Sequence, residues 1–211
     1  MRHLSVLHGR DPEALRILLQ MHAQPTSRIL DVTHNKGTMW AGLPRPHITM
    51  DIDPSHGTDI VGDFADIPLP NGHVEVIVFD PPHLPVSAAS AGSSKIYGRR
   101  YGITQDGAGR RGDNVSGMFM PFLLEAKRVL TPGGIALCKI ADIVHSHRYQ
   151  WHHVDLINAA MSVGMTPCDM LIKIDPSAGK LMSSKWNKQY HLRKAHCYWV
   201  VIRNSQKCER Q

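Results

Sequence analysis

Short apolar runs separated by polar turns recur along this chain. Runs rich in β-branched residues are typical of buried strands, and six occur, at 28–32, 48–52, 74–79, 135–140, 169–174 and 195–202. Apolar residues at helical spacing predict helices that start at Asp11, lie within 113–130 and cover 151–163. Strands that alternate with helices predict an α/β fold with a doubly wound, mostly parallel sheet, and a hairpin between 170 and 201 supplies one antiparallel strand.

The turns between these elements add local predictions. Asp11 before Pro12 is typical of an N-cap followed by proline at the first helical position. Thr131-Pro132-Gly133-Gly134 predicts a turn that leads into the strand at 135. The link between the second and third strands is too short for a normal helix.

Two long segments interrupt the alternation. Residues 84–113 are rich in glycine and arginine, and 175–194 place basic residues around Trp186 and Tyr190. Loops this long in a compact domain are usually functional or disordered, and cations beside aromatic rings suit a nucleic-acid surface. A solvated loop is the alternative for each. The candidate nucleic-acid-binding residues are Lys95, Arg99, Arg100, Arg110, Arg111, Lys185, Lys188 and Arg193.

Length and composition bound the possibilities. A chain of 211 residues with 42% hydrophobic and 20% charged residues suits one globular domain. We expect this domain to span 1–203, with 84–113 as an inserted mobile substrate loop and 204–211 as a polar tail. No apolar run reaches the roughly 20 residues that span a bilayer, and no secretory signal is visible, so we expect no membrane partner and a cytoplasmic location.

Charge and cysteine usage refine this picture only slightly. The net charge of +6 favours a phosphate-rich partner, although many basic proteins bind no nucleic acid. The 4 cysteines stand singly and predict neither disulfides nor a zinc site. A metal site built from Asp142 and nearby histidines would need converging ligands, so we predict no metal. Those histidines are His145, His147, His152 and His153.

A cofactor site is predicted after the strand at 28–32. In an open α/β sheet, ligands bind beyond the carboxyl ends of strands near the point where the strand order reverses. An acidic residue about 20 positions further on, here Asp51, commonly receives ribose hydroxyls, and the carboxylate and ring of Asp63 and Phe64 suit an adenine. Each residue alone is as typical of a turn or a cap. The candidate cofactor residues are Asp31, Thr33, Asn35, Gly37, Asp51, Asp63 and Phe64.

The candidate catalytic residues follow the strand at 74–79. They are Asp80, Pro81, Pro82 and His83, called here the tetrapeptide. An exocyclic amine on a base is a poor nucleophile because its lone pair is delocalised into the ring. A carboxylate and a main-chain carbonyl that accept its two hydrogens favour the pyramidal nitrogen, so catalysis is mainly positioning and charge stabilisation. Proline fixes φ and removes a backbone donor, which suits a rigid, outward-facing carbonyl at Pro81, and His83 could stack on the base.

These motifs in this order resemble the class I S-adenosylmethionine-dependent amino-methyltransferases that modify DNA adenine at N6 or cytosine at N4. The resemblance runs from about Pro12 to Arg203. The family's first motif resembles D-x-F-x-G-x-G, matched at Asp31 and Gly37 but with Thr33 and Asn35 in between. Its catalytic motif usually ends in an aromatic residue, where this chain has His83. Residues 128–134 look like the turn before the family's fifth strand, and 192–203 are similar to its R-x-x-H-E ending, with Cys197 at the acidic position.

The resemblance implies a Rossmann-like, seven-stranded sheet with one antiparallel strand and S-adenosyl-L-methionine as cofactor. It implies DNA as the partner, with direct methyl transfer to a flipped base, most often adenine N6 after an aspartate-led tetrapeptide. Lys139 and Asp142 are expected to border the target pocket. The alternatives are an RNA base amino-methyltransferase and a catalytically silent nucleic-acid-binding subunit. The oligomeric state stays open.

Overall fold

The computed structural model describes residues 3–83, 115–145, 147–175, 190–192 and 194–205. An eight-stranded sheet has the order β1-β9-β10-β6-β5-β2-β3-β4, and β7 and β8 form a separate two-stranded hairpin. The strands are β1 (Val6–His8), β2 (Ile29–Asp31), β3 (Ile48–Asp51), β4 (Ile60–Val61), β5 (Val74–Phe79), β6 (Leu130–Ile140), β7 (Ile143–His145), β8 (Arg148–Gln150), β9 (Thr166–Ile174) and β10 (His196–Arg203).

The sheet is mostly parallel and doubly wound, as the sequence predicts. β2 is parallel to both β3 and β5, and β5 is parallel to β6. β10 runs antiparallel to both of its neighbours, β6 and β9. The chain proceeds outward from β2 to β4 and then returns to β5 on the other side of β2. The strand order therefore reverses between β2 and β5, which is where an open α/β sheet binds its ligand.

The sheet has eight strands rather than the predicted seven. β1 adds to the outer edge of β9, with Val6 opposite Ile172 and His8 opposite Ile174. Covering the edge in this way satisfies backbone groups of β9 that would otherwise be exposed. A segment of three residues shows no periodicity that could have predicted a strand.

Among the described residues, three helices pack on the two faces. Helix α1 (Asp11–His22) buries Leu15 and Leu18 against one face, where Val76, Val78 and Trp199 complete a core. Helices α2 (Phe119–Val129) and α3 (His152–Ser162) cover the other face. All three confirm helices expected from the sequence. The second core includes Phe79, Phe122, Leu123, Leu156 and Val200.

The links after β2 and β3 contain short 3₁₀ turns and no α-helix. These turns are Thr38–Trp40 and Pro54–His56, so the prediction that the link after the second predicted strand is too short for a helix is confirmed. The loop before β5 is held instead by Arg128 of α2, whose guanidinium donates to the carbonyl oxygens of Ile67 and Leu69 at 2.7 Å each. Glu125 completes this anchor by pairing with Arg128 at 2.6 Å.

Two local predictions are wrong for tertiary reasons. The N-cap of α1 is Arg10, without a side-chain cap bond, because the carboxylate of Asp11 pairs with Lys139 and Lys173 instead. The predicted turn at 131–134 lies inside β6, where the partner of β5 shifts from Leu130 to Ile135. This bulge needs Gly134, since a Cβ there would lie 2.9 Å from the carbonyl oxygen of Glu75.

The fold also extends past residue 203, the predicted end of the domain. Asn204 is buried, and its side-chain amide donates to the carbonyl oxygens of Lys127, Leu130 and Thr131. Its backbone exchanges hydrogen bonds with Gly133 and Gly134 at 2.8 Å each. Within the described residues, no helix combines the length and apolar character needed to cross a membrane.

Candidate active site

The turn after β2 is organised around Asp31, which is only 2% exposed. Its Oδ1 accepts the backbone N–H of Thr33 at 3.1 Å. Its Oδ2 accepts the indole N–H of Trp40 at 2.7 Å and lies 2.9 Å from Nδ1 of His34. The ring of His34 covers Gly37, where the φ of +66° and the missing Cβ leave room for it. Asp31 therefore holds the shape of this turn from inside.

Asp51 links this turn to the end of β3. Its Oδ2 accepts the N–H of Asn35 at 2.7 Å, and its Oδ1 accepts the N–H of Asp53 at 2.9 Å. Asn35 has the positive φ, +50°, that asparagine tolerates. Nδ1 of His56 lies 3.1 Å from Oδ1 of Asp51, and these two side chains are only 4% and 9% exposed. The carboxylate of Asp51 is therefore almost covered, and a ribose role for it stays a prediction.

Asp63 and Phe64 lie beyond β4, next to the end of β3. The N–H of Gly62 donates to the carbonyl oxygen of Asp51 at 2.9 Å. Oδ1 of Asp63 accepts the N–H of Ala65 at 2.9 Å, which is a side-chain turn. The ring of Phe64 meets Phe79 edge to face with centroids 5.1 Å apart. An adenine role for these two residues stays a prediction.

The tetrapeptide follows β5 and touches the β2 turn. The backbone N–H of Asp80 donates to Oγ1 of Thr33 at 2.7 Å. Because β2 and β5 are adjacent parallel strands, this bond joins the two loops across the switch point. A phenylalanine, the residue that the resembling family has at position 33, could not accept it. The departure at Thr33 therefore has a structural reason.

Asp80 also begins a chain of four alternating charges. Its Oδ2 lies 3.0 Å from Nζ of Lys139, which lies 3.0 Å from Oδ2 of Asp11. Oδ1 of Asp11 lies 2.7 Å from Nζ of Lys173. On the other side of Asp80, Nε2 of His83 lies 3.2 Å from Oδ1. Both lysines are nearly buried, with 11% and 8% of their side chains exposed, so the pairs are shielded from water and salt.

This surrounding keeps Asp80 ionised. Burial acts to raise the pKa of Asp80, but the charge of Lys139 and a hydrogen bond from His83 outweigh it and lower the pKa from 3.8 to about 2. Burial likewise acts to lower the pKa of Lys139, and the carboxylates of Asp80 and Asp11 outweigh it and raise that pKa. A carboxylate with so low a pKa accepts hydrogen bonds well but holds no proton at neutral pH.

A cleft of about 530 Å³ opens beside Asp80. This volume lies within the range of about 300–1,000 Å³ typical of small-molecule sites. Charged groups of both signs line it, together with the 3₁₀ turn after β2. The lining residues are Arg10, Asp11, Pro12, Glu13, Arg16, Thr38, Met39, Ala41, Asp80 and Lys139.

Hydrogen bonds and adjacent strand ends thus bring the predicted cofactor and catalytic residues to one edge of the sheet.

Other predicted residues lie outside the part of the chain that the structure describes. These are loop 84–113, most of 175–194, and the predicted nucleic-acid-binding residues Lys95, Arg99, Arg100, Arg110, Arg111, Lys185, Lys188 and Arg193. In the part of the chain that the structure does describe, no group of three or more His, Cys, Asp or Glu side chains is arranged to hold a metal ion.

The sequence interpretation missed two members of the charge chain and named a third only as a border residue. Asp11 was interpreted as a cap, Lys173 was not singled out, and Lys139 was expected only to border the target pocket. Lys139 and Lys173 each lie between apolar residues of a predicted strand and are nearly buried. A lysine inside a predicted buried strand needs a partner, and that pattern could have pointed to both.

At the level of sequence, neither a protein-family profile nor a curated protein matches the chain. At the level of structure, many solved proteins match. A candidate methyltransferase from Bacillus halodurans superposes with a TM-score of 0.55 at 13% identity, over 92% of this chain and 100% of that one. The folds agree.

Two further solved structures show the same likeness. The 1,6-didemethyltoxoflavin-N1-methyltransferase of Burkholderia thailandensis, solved with S-adenosylhomocysteine, has a TM-score of 0.55 at 11% identity, over 93% of this chain and 78% of that one. A SAM-dependent methyltransferase from Methanosarcina mazei has a TM-score of 0.52 at 9% identity, over 90% and 98%. The chain has the class I methyltransferase fold, as the sequence predicts. At these identities the likeness concerns the fold alone.

Proposed function

We propose that this protein is an S-adenosylmethionine-dependent methyltransferase that methylates an exocyclic amino group of a DNA base, with adenine N6 as the favoured target. The observation that carries the proposal is the hydrogen bond between the N–H of Asp80 and Oγ1 of Thr33. It fixes the predicted amine acceptor against the predicted cofactor turn, beside a cleft. Methyl transfer needs this proximity of two sites, because positioning supplies much of the rate.

The cleft suits the amino-acid end of S-adenosylmethionine, which carries an ammonium and a carboxylate. Arg10 and Arg16 would bind the carboxylate, and Glu13 would bind the ammonium. The nucleoside end would extend toward the turn after β2, whose residues Thr38 and Met39 line the cleft. When bound, the cofactor supplies an electrophilic sulfonium methyl group. Among the structural neighbours, one is an N1-methyltransferase solved with S-adenosylhomocysteine, and this fits both the cofactor and methylation at nitrogen.

Asp80 orients the target amine by accepting one of its hydrogens. A carboxylate has acceptor sites for more than one donor, so Asp80 can receive the amine while Lys139 and His83 stay in place. The main-chain carbonyl of Pro81 accepts the other hydrogen, and the ring of His83 packs against the base. With a pKa of about 2, Asp80 does not store the proton released from the methylated amine. That proton therefore leaves to water.

DNA is favoured as the substrate by the tetrapeptide and by the net charge of +6, which suits a polyanion. An amine paired within a duplex becomes reachable when its nucleotide flips out, at a cost of a few kcal/mol. RNA and small heteroaromatic amines are the substrates that the test must separate from DNA.

The test uses labelled S-adenosylmethionine with duplex DNA, single-stranded DNA, RNA and free nucleosides. Modified nucleosides are identified by mass spectrometry. We expect N6-methyladenine in DNA with the wild-type protein and at least a hundredfold less with Asp80→Ala, because loss of one preorganised acceptor commonly costs about 10²–10³ in rate. Asp53→Ala is the matched control, since this aspartate caps the 3₁₀ turn at 54–56 and lies 3.8 Å from His56.

Two results would contradict the proposal in different ways. Equal labelling by wild type and Asp80→Ala would remove the role given to Asp80. Failure to bind S-adenosylmethionine at millimolar concentration in calorimetry would leave a silent binding subunit as the better interpretation. Methylation confined to RNA would keep the chemistry and replace the substrate.

A further inference from the structure

A group of aromatic side chains from β8, the start of α3 and β10 pack against one another and take no part in the proposed methyl transfer. The rings of Tyr149 and Trp151 have centroids 4.1 Å apart, and those of Trp151 and His153 are 6.3 Å apart. His153 stacks on Tyr198 at 4.2 Å with an interplanar angle of 19°. Nζ of Lys194 lies 4.0 Å from the centroid of Tyr149. We call Tyr149, Trp151, His153 and Tyr198 the aromatic stack.

A buried carboxylate holds the aromatic stack in place. Asp142, with 1% of its side chain exposed, accepts the hydroxyl of Tyr149 at 3.1 Å and lies 2.8 Å from Nδ1 of His153. The hairpin of β7 and β8 sets Tyr149 opposite Val144. Rings fixed in this way lose little conformational freedom when they bind a planar ligand, so the stack is preorganised.

Trp151 of the aromatic stack is not buried in the core. Trp151 is 55% exposed, among the largest apolar side chains at the surface of the described chain. Tryptophan is usually highly buried, and an exposed indole packed against a second ring is typical of a contact surface. A cation on the outer face of the neighbouring tyrosine adds positive charge to the same surface.

The aromatic stack and Asp80 lie at the same end of the sheet. Tyr198 of β10 pairs with Ile140 of β6, and the next pair is Trp199 with Lys139. Lys139 holds Asp80 at 3.0 Å. Successive strand residues point to opposite faces, so Tyr198 and Lys139 lie on opposite faces of the sheet. At the strand ends the tetrapeptide lies near the start of α3, since burial and the charge of His83 both lower the pKa of His152, the residue before His153. A strand whose base reaches Asp80 can bring a neighbouring base to the stack.

We propose that the aromatic stack binds an unpaired nucleobase next to the methylated one. Stacked rings with an adjacent cation recognise the faces of bases without regard to sequence, and such faces are exposed only where a strand is unpaired. Lys194 lies over the ring of Tyr149 and can meet a phosphate. This inference rests on the proposed function for its substrate, but binding to the stack itself requires no catalysis.

The test measures affinity for a fluorescent single-stranded DNA of about 16 nucleotides, near the upper site size of single-strand-binding folds, without cofactor. We expect Trp151→Ala to weaken binding roughly tenfold, consistent with the loss of one base-stacking contact, and Trp151→Phe to stay within about threefold because it keeps a ring. Met161→Ala is the matched control, since Met161 has the same 55% exposure. We expect it to bind like wild type. Circular dichroism confirms that each variant is folded.

The outcomes separate this inference from the proposed function. If Trp151→Ala binds DNA as tightly as wild type, the stack proposal is wrong even when methylation of DNA is observed. If no nucleic acid is methylated but Trp151→Ala still loses affinity and Trp151→Phe does not, the proposed function fails and the stack remains a base-binding surface. Wild-type binding to anionic phospholipid vesicles that Trp151→Ala abolishes, with DNA affinity unchanged, would overturn the nucleobase assignment in favour of a lipid surface.

Discussion

The two sides of the switch point are built differently. On one side β2, β3 and β4 have only 3, 4 and 2 residues, and 3₁₀ turns connect them. We call this side the short-strand flank. On the other side β5, β6, β9 and β10 have 6, 11, 9 and 8 residues and pack against α-helices. This side is the long-strand flank.

The difference lies in what holds each flank together. In the long-strand flank, apolar side chains such as Phe79, Phe122 and Trp199 are fully buried. In the short-strand flank, carboxylates accept nearby backbone N–H groups, at Asp31, Asp51, Asp53, Asp59 and Asp63. Removing an acceptor should therefore destabilise the short-strand flank most. Removing side-chain volume should destabilise the long-strand flank most. The active site lies at their boundary and depends on both.

The largest effect is expected from Asp31→Ala. This change removes the acceptor of three groups in a buried site: the backbone N–H of Thr33, the indole N–H of Trp40 and the ring nitrogen of His34. Each unsatisfied buried donor costs about 1–3 kcal/mol, so we expect a loss of about 3 kcal/mol or more in the free energy of unfolding, measured with urea. Asp53→Ala, which removes one cap bond, should cost about 1 kcal/mol. Equal losses would show that the flank does not depend on its buried acceptor.

A smaller loss in the free energy of unfolding is expected at acid pH. The pKa of Asp80 falls from 3.8 to about 2 on folding, so its ion pairs contribute stability above pH 4, and this contribution is lost as the pH falls from about 4 to 2. The shift corresponds to about 2 kcal/mol at neutral pH. We expect Asp80→Asn to lower stability at pH 7 and to flatten the acid limb of the stability curve.

Asp59, in the short-strand flank, is the carboxylate to compare with Asp80. Arg45 lowers the pKa of Asp59 to about 2 as well. The side chain of Asp59 is 42% exposed, however, so water and salt screen its ion pair. Asp59→Asn should therefore change the acid limb less than Asp80→Asn does. The opposite ranking would mean that burial does not strengthen the pairs of Asp80.

The smallest effect is expected at the boundary itself. Thr33→Val removes the oxygen that accepts the Asp80 N–H and keeps the side-chain shape, whereas Thr33→Ser keeps the acceptor. One lost hydrogen bond is worth about 1 kcal/mol. We expect Thr33→Val to lower the single-turnover methylation rate about fivefold, with the affinity for S-adenosylmethionine kept. A loss of affinity with an unchanged rate would place Thr33 in cofactor binding instead.

The long-strand flank could be predicted from the sequence more completely than the short one. Runs of β-branched residues and helical periodicity span enough positions in β5, β6 and β10 to be recognised. β1 and β4 are too short to show a period. The β7–β8 hairpin has no glycine or asparagine at its turn, and the residue with positive φ is His147, at +61°, so its sequence lacks the usual hairpin pattern.

Part of the candidate site could likewise be predicted from the sequence, and part could not. Asp31, Asp51 and Asp80 follow their strands at the spacing of the resembling family, and their order was enough to find them. The partners of Asp80 depend on contacts that are distant in sequence, since Lys139 and Asp11 are separated by 128 positions. The local sequence around Asp11 predicts a cap, because it contains no sign of a lysine that is so distant in sequence.

The position of β10 has a consequence for biosynthesis. This strand is the last that the structure describes, yet it lies between β6 and β9, and Asn204 then ties its end to the β6 bulge. While a ribosome is still translating the preceding segments, β9 and β1 have no strand that connects them to β6. Until residues 196–204 emerge, β6 and β9 therefore lack the strand that joins them, and each keeps an open edge.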